Sequence, residues 1–399
     1  MSTDKPNSIW TPAFALLCLA QFLGYAQYFM LQPTFPLYVT SLGGTPFEVG
    51  IVLSCFAVTS VLFRPFIGCW ADRWSESGVL ISGLIVLAAS MLLCFVPVVG
   101  TTMLANGIRG IGWAGLNTGG YSLLALSAPP SRRGEASGYY SGVQSGPTIL
   151  LPAVALWIID APFGGFRGVF AFAILLAATG AAVGVLLARS GLRGHRDAPP
   201  EVSTSWWREI FDIMERDIIL ASVLLFCLHV ALPAVASFVV LYAREIGVPN
   251  IGWFYIVSGA TSVLARPLLG RVSGQIGRSE SLVAGFIMQT IALGMLALAT
   301  NLAWLLISGA LFMAGTAIGT ATTLALAVER AQPERRGRAM ATFSVAFPLS
   351  GGVGALISGS MVELVGYFWM YLIVAALGAI GLVLTAMNWS RLNSAESRV

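Results

Sequence analysis

The sequence reads TSVLFRPFIG at 59–68 and TSVLARPLLG at 261–270, seven of ten positions identical at an offset of 202 residues in a chain of 399. A second pair falls in almost the same register: PSRRGEASG at 130–138 matches PERRGRAMA at 333–341, an offset of 203. Two separate matches at offsets one residue apart mean that a single structural unit is written twice, once in each half of the chain. What that unit is follows from the residues around it.

The chain is 57% hydrophobic and 10% charged, with a mean hydropathy of +0.82. Soluble domains carry roughly a quarter charged residues, so a water-soluble globule is excluded. Apolar runs of about 20 residues, enough to cross a bilayer, recur near 12–38, 47–67, 78–99, 101–127, 137–159, 167–188, 218–242, 250–269, 280–299, 302–326, 340–362 and 367–388. In lipid these runs must be helical, because an open strand leaves its backbone unsatisfied. The expected fold is an all-α polytopic membrane protein, with 12 transmembrane helices in two pseudo-symmetric six-helix halves. An even number per half gives both halves the same orientation, as parallel repeats about an axis along the membrane normal. The halves are placed at 1–188 and 218–399, joined by a linker at 189–217.

That linker begins charged and rich in Gly and Pro. From Ser203 onward Trp206, Ile210 and Ile213 recur at helical spacing opposite Arg208, Asp212 and Glu215, the pattern of a helix lying on a membrane face. If the N-terminus is cytoplasmic, 17 of the 22 basic residues fall in cytoplasmic segments, Arg64, Arg109 and Arg266 within or at the ends of helices, and only Arg167 and Arg244 outside. The positive-inside rule therefore puts both termini in the cytoplasm of a cell or inner membrane. The net charge of +4 then reads as loops facing anionic lipid; no nucleic-acid surface is expected. The first apolar segment shows no small-residue cleavage site, so no cleavable leader is expected. Cys18, Cys55, Cys69, Cys94 and Cys227 form no CxxC pair and read as small packing residues.

Two six-helix halves around a long central linker resemble the major facilitator superfamily, over essentially the whole chain. After the second helix, Gly68-Cys69-Trp70-Ala71-Asp72-Arg73 matches the front of that superfamily's GxxxDRxGRR signature, while Ser75 and Glu76 depart from its back half. The second copy keeps Gly270, Gly277 and Arg278 but has Gly274 in place of the acid. The resemblance implies a gating loop in which Asp72 meets the positive end of a helix from the other half. In the fifth helix Gly138, Gly142 and Gly146 recur every four residues before Pro147, a spacing that lets two backbones approach closely. GVQSGP there is similar to the motif of proton-linked exporters, although TILLP follows where a glycine pair is usual. Gly142, Gly146 and Pro147 are accordingly gating candidates. So are Arg64 and Arg266, each one residue before a helix-bending Pro in the repeated TSVLxRP. The fourth helix, ANGIRGIGWAG at 105–115, resembles the exporters best through its G-x-G-W-x-G portion, which places Asn106 at their usual Arg and Arg109 at their Gln/His site; aligned on Arg109 instead, Gly112 falls at the Gln/His site.

Polar residues inside apolar helices mark candidate substrate contacts. Gln21, Tyr25, Tyr28 and Gln32, at spacings of 4, 3 and 4, form one stripe; Asn106, Arg109, Trp113 and Asn117 form another. The resemblance places both of these helices around a central cavity. Gln144 and Thr148 add to them, and the second half offers His229, Thr316, Thr320 and Thr323. Arg109 lies eight residues into its apolar run, roughly 12 Å deep at 1.5 Å per residue. A charge there costs ~2.5 kcal/mol or more unless solvated or paired. No Asp or Glu occupies the middle of any run, so Arg109 must meet water, amides such as Asn106, or an anionic substrate. Histidine as a residue type titrates near neutrality, so His229 is a proton-coupling candidate, with Arg109 and Glu48 as others.

These features point to a secondary transporter that moves a small organic solute, amphipathic or anionic, by alternating access, with proton-coupled efflux as the leading direction. The alternative is an importer or facilitator of an organic anion. A membrane enzyme would need paired acids, a metal cluster or a nucleophile with its base. The sequence holds two histidines, one of them His195 in the linker, and neither GxxxxGK[ST] nor HExxH. No cofactor or metal is expected. The expected partners are the solute, the bilayer and protons as the coupling ion, with a monomer as the oligomeric state.

Overall fold

A computed structural model describes residues 9–73, 75–127, 129, 132–162, 164–190, 216–330 and 336–393. The amphipathic linker segment expected from Ser203 on lies outside the described residues, save its last two positions. So do the side chains of Asp72, Arg73, Arg266 and Gly270, whose backbones are helical.

Among the described residues the chain is helical throughout. The elements are α1 (Pro12–Ser41), α2 (Pro46–Leu62), α3 (Arg64–Arg73), α4 (Glu76–Ser90, continued as a 3₁₀ turn over Met91–Phe95), α5 (Val99–Ser127), α6 (Arg133–Ser145), α7 (Pro147–Asp160), α8 (Gly165–Arg189) and α9 (Arg216–His229). They continue with a π turn (Ala234–Phe238), α10 (Val239–Glu245), α11 (Gly252–Ile276), α12 (Arg278–Ala297), α13 (Leu302–Arg330), α14 (Arg336–Met387) and the short α15 (Trp389–Asn393). By length and composition, eight of the described helices can cross a membrane, or nine if the pair α2–α3, bent by 43°, is one span.

The remaining expected spans are present in other forms. α5 has 29 residues, long enough to cross, but Asn106, Arg109 and Asn117 make it more polar. α11 is apolar only over Gly252–Ala265. The 52-residue α14 is two helices, because Gly366 (φ 84, ψ 173) breaks it in a conformation that only glycine adopts without strain. The twelve expected runs thus each coincide with a helix or a closely joined pair. The repeated TSVLxRP behaves differently in its two copies. The first breaks the helix at Phe63, while the second runs unbroken through α11.

The chain forms two compact units, Met1–Leu31 with Thr59–Val202, and Gln32–Val58 with Ser203–Val399. The first buries Phe14, Leu17, Leu84, Leu116, Tyr140 and Ala177, drawn from α1, α4, α5, α6 and α8, in one core. Its tightest crossing is between α4 and α5, where a Cβ on Gly83 would lie 2.7 Å from the Gly112 carbonyl oxygen and one on Gly119 2.6 Å from that of Glu76. The second unit buries Leu224, Leu228, Leu282, Phe286, Leu326 and Phe343, with α12 crossing α13 at Gly285 and Gly315.

In this second unit α2 runs antiparallel along the first part of α14. Ser54 Oγ donates to the Gly352 carbonyl at 2.7 Å. A Cβ on Gly50 would lie 2.7 Å from Ala355 O, and one on Gly359 2.4 Å from Pro46 O. Small residues let the two backbones touch. At the end of the seam the Glu363 carboxylate accepts from Phe47 N at 3.0 Å. Outward-facing Leu92, Leu150, Leu364 and Met387 are more than half exposed. That is a surface for lipid, since water would not tolerate so continuous an apolar coat.

Candidate functional site

The first unit gathers its polar side chains on α1, α5 and α6. On α5, Asn106, Arg109, Trp113 and Asn117 share a face through their 3, 4, 4 spacing. Arg109 is 4% exposed and engages three neutral oxygens. Its Nη1 donates to Asn106 Oδ1 at 2.8 Å, its Nε to Gln27 Oε1 at 3.3 Å, and its Nη2 to the Tyr28 carbonyl at 3.3 Å. The guanidinium carbon also lies 5.2 Å from the Tyr28 ring centroid, within cation–π range. Of the surroundings the sequence allows for Arg109, the structure realises the amide one.

Aromatic rings extend the site. Tyr28 stacks on Trp113 at 4.3 Å and 24°, and Tyr25 meets the same indole at 4.5 Å and 53°. The Tyr25 hydroxyl donates to Asn117 Oδ1 at 2.7 Å, while Asn117 Nδ2 donates to the Trp113 carbonyl at 2.9 Å. All three rings are half-buried. Below them Gln21, fully buried, donates to Leu116 O at 3.0 Å and accepts from Gln144 Nε2 at 3.3 Å. Tyr121 closes the chain by donating to Gln144 Oε1 at 3.3 Å. Gln21 therefore ties α1 to α5 and α6. Thr148, half-buried on α7, follows Pro147.

The second unit has its own polar cluster. His229, 7% exposed, ends α9 just before the Pro233 break and the π turn, the sort of discontinuity that marks ion and substrate sites in membrane helices. Its Nδ1 lies 3.0 Å from Leu225 O and its Nε2 3.4 Å from Thr320 Oγ1, whose own proton goes to Thr316 O at 2.6 Å. Both ring nitrogens thus face acceptors, an environment that an imidazole with two N–H groups satisfies. Phe347 stands edge-on to the ring at 4.8 Å. Gln289 donates to Leu228 O and to Thr316 Oγ1, and Thr323 Oγ1 to Gly319 O. Gln32 is half-buried in this unit, so the α1 stripe divides, with its first three members in the first unit.

The other candidates fall where local structure uses them. Glu48 and Thr45 form a capping box at the start of α2: Thr45 N donates to Glu48 Oε2 at 2.8 Å and Glu48 N to Thr45 Oγ1 at 3.3 Å. This reciprocal pairing satisfies two orphan helix donors. Arg64, half-buried, opens α3 at the 43° bend. A Cβ placed on Gly68 would have no neighbour within 4 Å, and the same holds at Gly138 and Gly142. The close backbone approach expected of the α6 glycines is therefore absent there; the tight crossings belong to Gly83–Gly112 and Gly285–Gly315. Gly146 and Pro147 sit at the α6–α7 junction in ordinary contact. Pattern reading missed Gln27, which lies six residues from Gln21, off the stripe, yet is fully buried and also donates to Leu87 O at 3.4 Å. It missed Gln289 and Tyr121 as well; for Gln27 and Gln289 an isolated amide in an apolar helix was the available signal.

A model of the major facilitator superfamily matches residues 17–249 and again 218–398. The chain belongs to the major facilitator superfamily. Superfamily relatives span nearly its full length. An uncharacterised MFS-type transporter of Methanocaldococcus jannaschii is 23% identical, over 86% of this chain and 89% of its own. The multi-drug resistance efflux pump PmrA of Streptococcus pneumoniae is 24% identical, over 90% and 91%. The staphylopine export protein of Staphylococcus aureus is 22% identical, over 94% and 96%. Among solved structures, a POT family transporter in complex with 5-aminolevulinic acid superposes with a TM-score of 0.79 at 13% identity, covering 96% of both chains. A bacterial homologue of the lysosomal transporter Spinster gives 0.74 at 14%, covering 98% of both. These superpositions identify the fold. The protein is a membrane-embedded secondary transporter of small molecules and not an enzyme.

Proposed function

We propose that this superfamily member exports a small amphipathic organic solute from the cell by alternating access, driven by protons. The observation that carries the reading is the half-buried aromatic group Tyr25, Tyr28 and Trp113, held in place by Asn117 and Arg109. Half-buried rings fixed by hydrogen bonds offer apolar area for a ligand at little entropic cost. Gln21, Asn106, Gln144 and Thr148 are the further candidate solute contacts of the first unit, and Gln32, Thr316 and Thr320 those of the second. The export names borne by the pneumococcal and staphylococcal relatives support the outward direction.

His229 carries the coupling proton, its second N–H directed at Thr320. Arg64, Gly68, Asp72 and Arg73, which stand on the helix α3 where the sequence suggested a loop, and Arg266 and Gly270 on α11, serve gating in the two homologous halves, with Gly142, Gly146 and Pro147 as the flexing point of α6–α7. The termini lie in the cytoplasm, the protein resides in the cell membrane, and it works as a monomer. The test is metabolite profiling of cells and medium, comparing the intact chain with Asn117→Ala. Enrichment of a solute in the medium with the intact chain alone is expected. Accumulation inside the cells instead would replace export by import.

A further inference from the structure

In the second unit α12 places one amide between two other helices. Gln289, 1% exposed, donates from Nε2 to the Leu228 carbonyl of α9 at 3.0 Å and to Thr316 Oγ1 of α13 at 2.7 Å. Leu228 directly precedes His229, and Thr316 stands one turn before Thr320. One side chain thus anchors both sides of the 3.4 Å approach between His229 Nε2 and Thr320 Oγ1. Gly315 makes room for it, since a Cβ there would lie 3.2 Å from Gln289 Cγ. The first unit makes the same joint in reverse: Gln27 of α1 donates to the Leu87 carbonyl of α4 at 3.4 Å. Leu87 and Gln289 are 202 residues apart and Gln27 and Leu228 are 201, so the donor has moved to the opposite helix of the pair. With the joint made from α12, the imidazole at 229, 202 residues after Gln27, does not have to make it.

The geometry points to Gln289 as a positioning residue for His229: by pinning the last turn of α9 to α13, it keeps Nδ1–H on the Leu225 carbonyl and leaves Nε2, beside Thr320, as the atom that takes up and gives back a proton. This rests on the reading of His229 as the proton carrier. A carbonyl can only accept, so Nδ1, 3.0 Å from Leu225 O, carries the hydrogen in the neutral ring. The bond made by one ring nitrogen sets the state of the other, and an incoming proton adds to the Nε2 lone pair and leaves from the same atom.

The experiment uses the full chain in lipid nanodiscs with His195→Gln, which leaves His229 as the single histidine of the two in the sequence. Isotope-labelled histidine then reports its ring nitrogens alone by solid-state NMR. At about pH 9, above the usual imidazole range, this parent should show one tautomer, protonated at Nδ1. Gln289→Met, similar in volume but without N–H groups, should show both tautomers. In proteoliposomes it should lose accumulation driven by a pH gradient by ~5-fold relative to solute exchange in the same vesicles, the worth of about one hydrogen bond. Thr316→Val removes one of the two anchors, should also show both tautomers, and decides alone if Gln289→Met fails to fold. A brace that serves stability alone would lower the melting temperature and leave the tautomer single. Both tautomers already in the parent, or the single parent tautomer in both variants, would overturn the assignment. His229→Gln separates the two ideas. Gradient-driven accumulation surviving there sinks the coupling reading alone, and an unmoved His229 signal in Gln289→Met sinks the positioning role alone.

Discussion

Gly83 and Gly112 cross so closely that a Cβ on either would lie 2.7 Å from the other's carbonyl oxygen, and Gly285 and Gly315 repeat the arrangement at 2.9 and 2.7 Å. The offsets, 202 and 203 residues, are those of the sequence repeat. Backbone stands on both sides of each crossing, so nothing there can rotate away. Gly112→Ala and Gly315→Ala should each cost about 1–3 kcal/mol. Thermal melting followed by size-exclusion chromatography of the detergent-extracted protein checks this, and the two variants should fall by similar amounts.

Gly142 provides the contrast. Nothing lies within 4 Å of a Cβ there, and alanine favours a helix over glycine by up to about 1 kcal/mol. Gly142→Ala should leave the melting temperature level or higher. If α6 must flex during transport, the same variant should slow export without loss of folded protein.

Tyr25 and Asn117 share a 2.7 Å hydrogen bond while both also brace Trp113. Tyr25→Phe keeps the ring and removes the bond, at a cost of about 1 kcal/mol. Stability should change little, and the solute concentration for half-maximal export should rise several-fold. Asn117→Ala, which also releases the Trp113 carbonyl, should have the larger effect.

The seam between α2 and α14 predicts a strong steric effect and a weak electrostatic one. Gly359→Val would drive a side chain into Pro46 O and Gly50 Cα, 2.4 and 3.1 Å from a Cβ, and should prise the helices apart. Glu363→Gln leaves the packing and weakens one charge-assisted bond at a helix start, worth about 0.3–1 kcal/mol. In hydrogen exchange, Gly359→Val should expose residues 46–58 and Glu363→Gln only the first turn of α2.

His229→Gln keeps a donor and an acceptor but cannot bind the extra proton. In proteoliposomes the variant should still exchange solute across the membrane and should lose accumulation driven by a pH gradient. Loss of exchange as well would assign His229 to the solute contacts in place of proton transfer.

Much of the fold was legible because lipid leaves few choices: a run of 20 apolar residues must be a helix, and each of the twelve runs coincides with a helix or a closely joined pair. The repeat offset was also legible, although the two glycine crossings that share it were not. Spacing along single helices put Tyr25 and Tyr28 on one polar stripe and Trp113 on another, and the structure packs these three rings together. What spacing cannot show is the partner on another helix. Gln27 lies off its stripe, and only packing against α4 and α5 brings it to Arg109 and Leu87. The same limit hid the seam at Ser54 and Gly352, 298 residues apart, and it made the α6 glycines look like the close contact when α4 and α5 supply it.

That seam also bears on heredity. Gly50, Ser54 and Ala57 come from one copy of the repeat, and Gly352, Ala355 and Gly359 from the other, so a substitution on either side must be answered across the duplication. The two copies are free to diverge in their loops and pore-facing residues, yet along this line they can only drift as a pair. A chimaera joining the first half of one relative to the second half of another should fail here first, and restoring the matching triplet should rescue it.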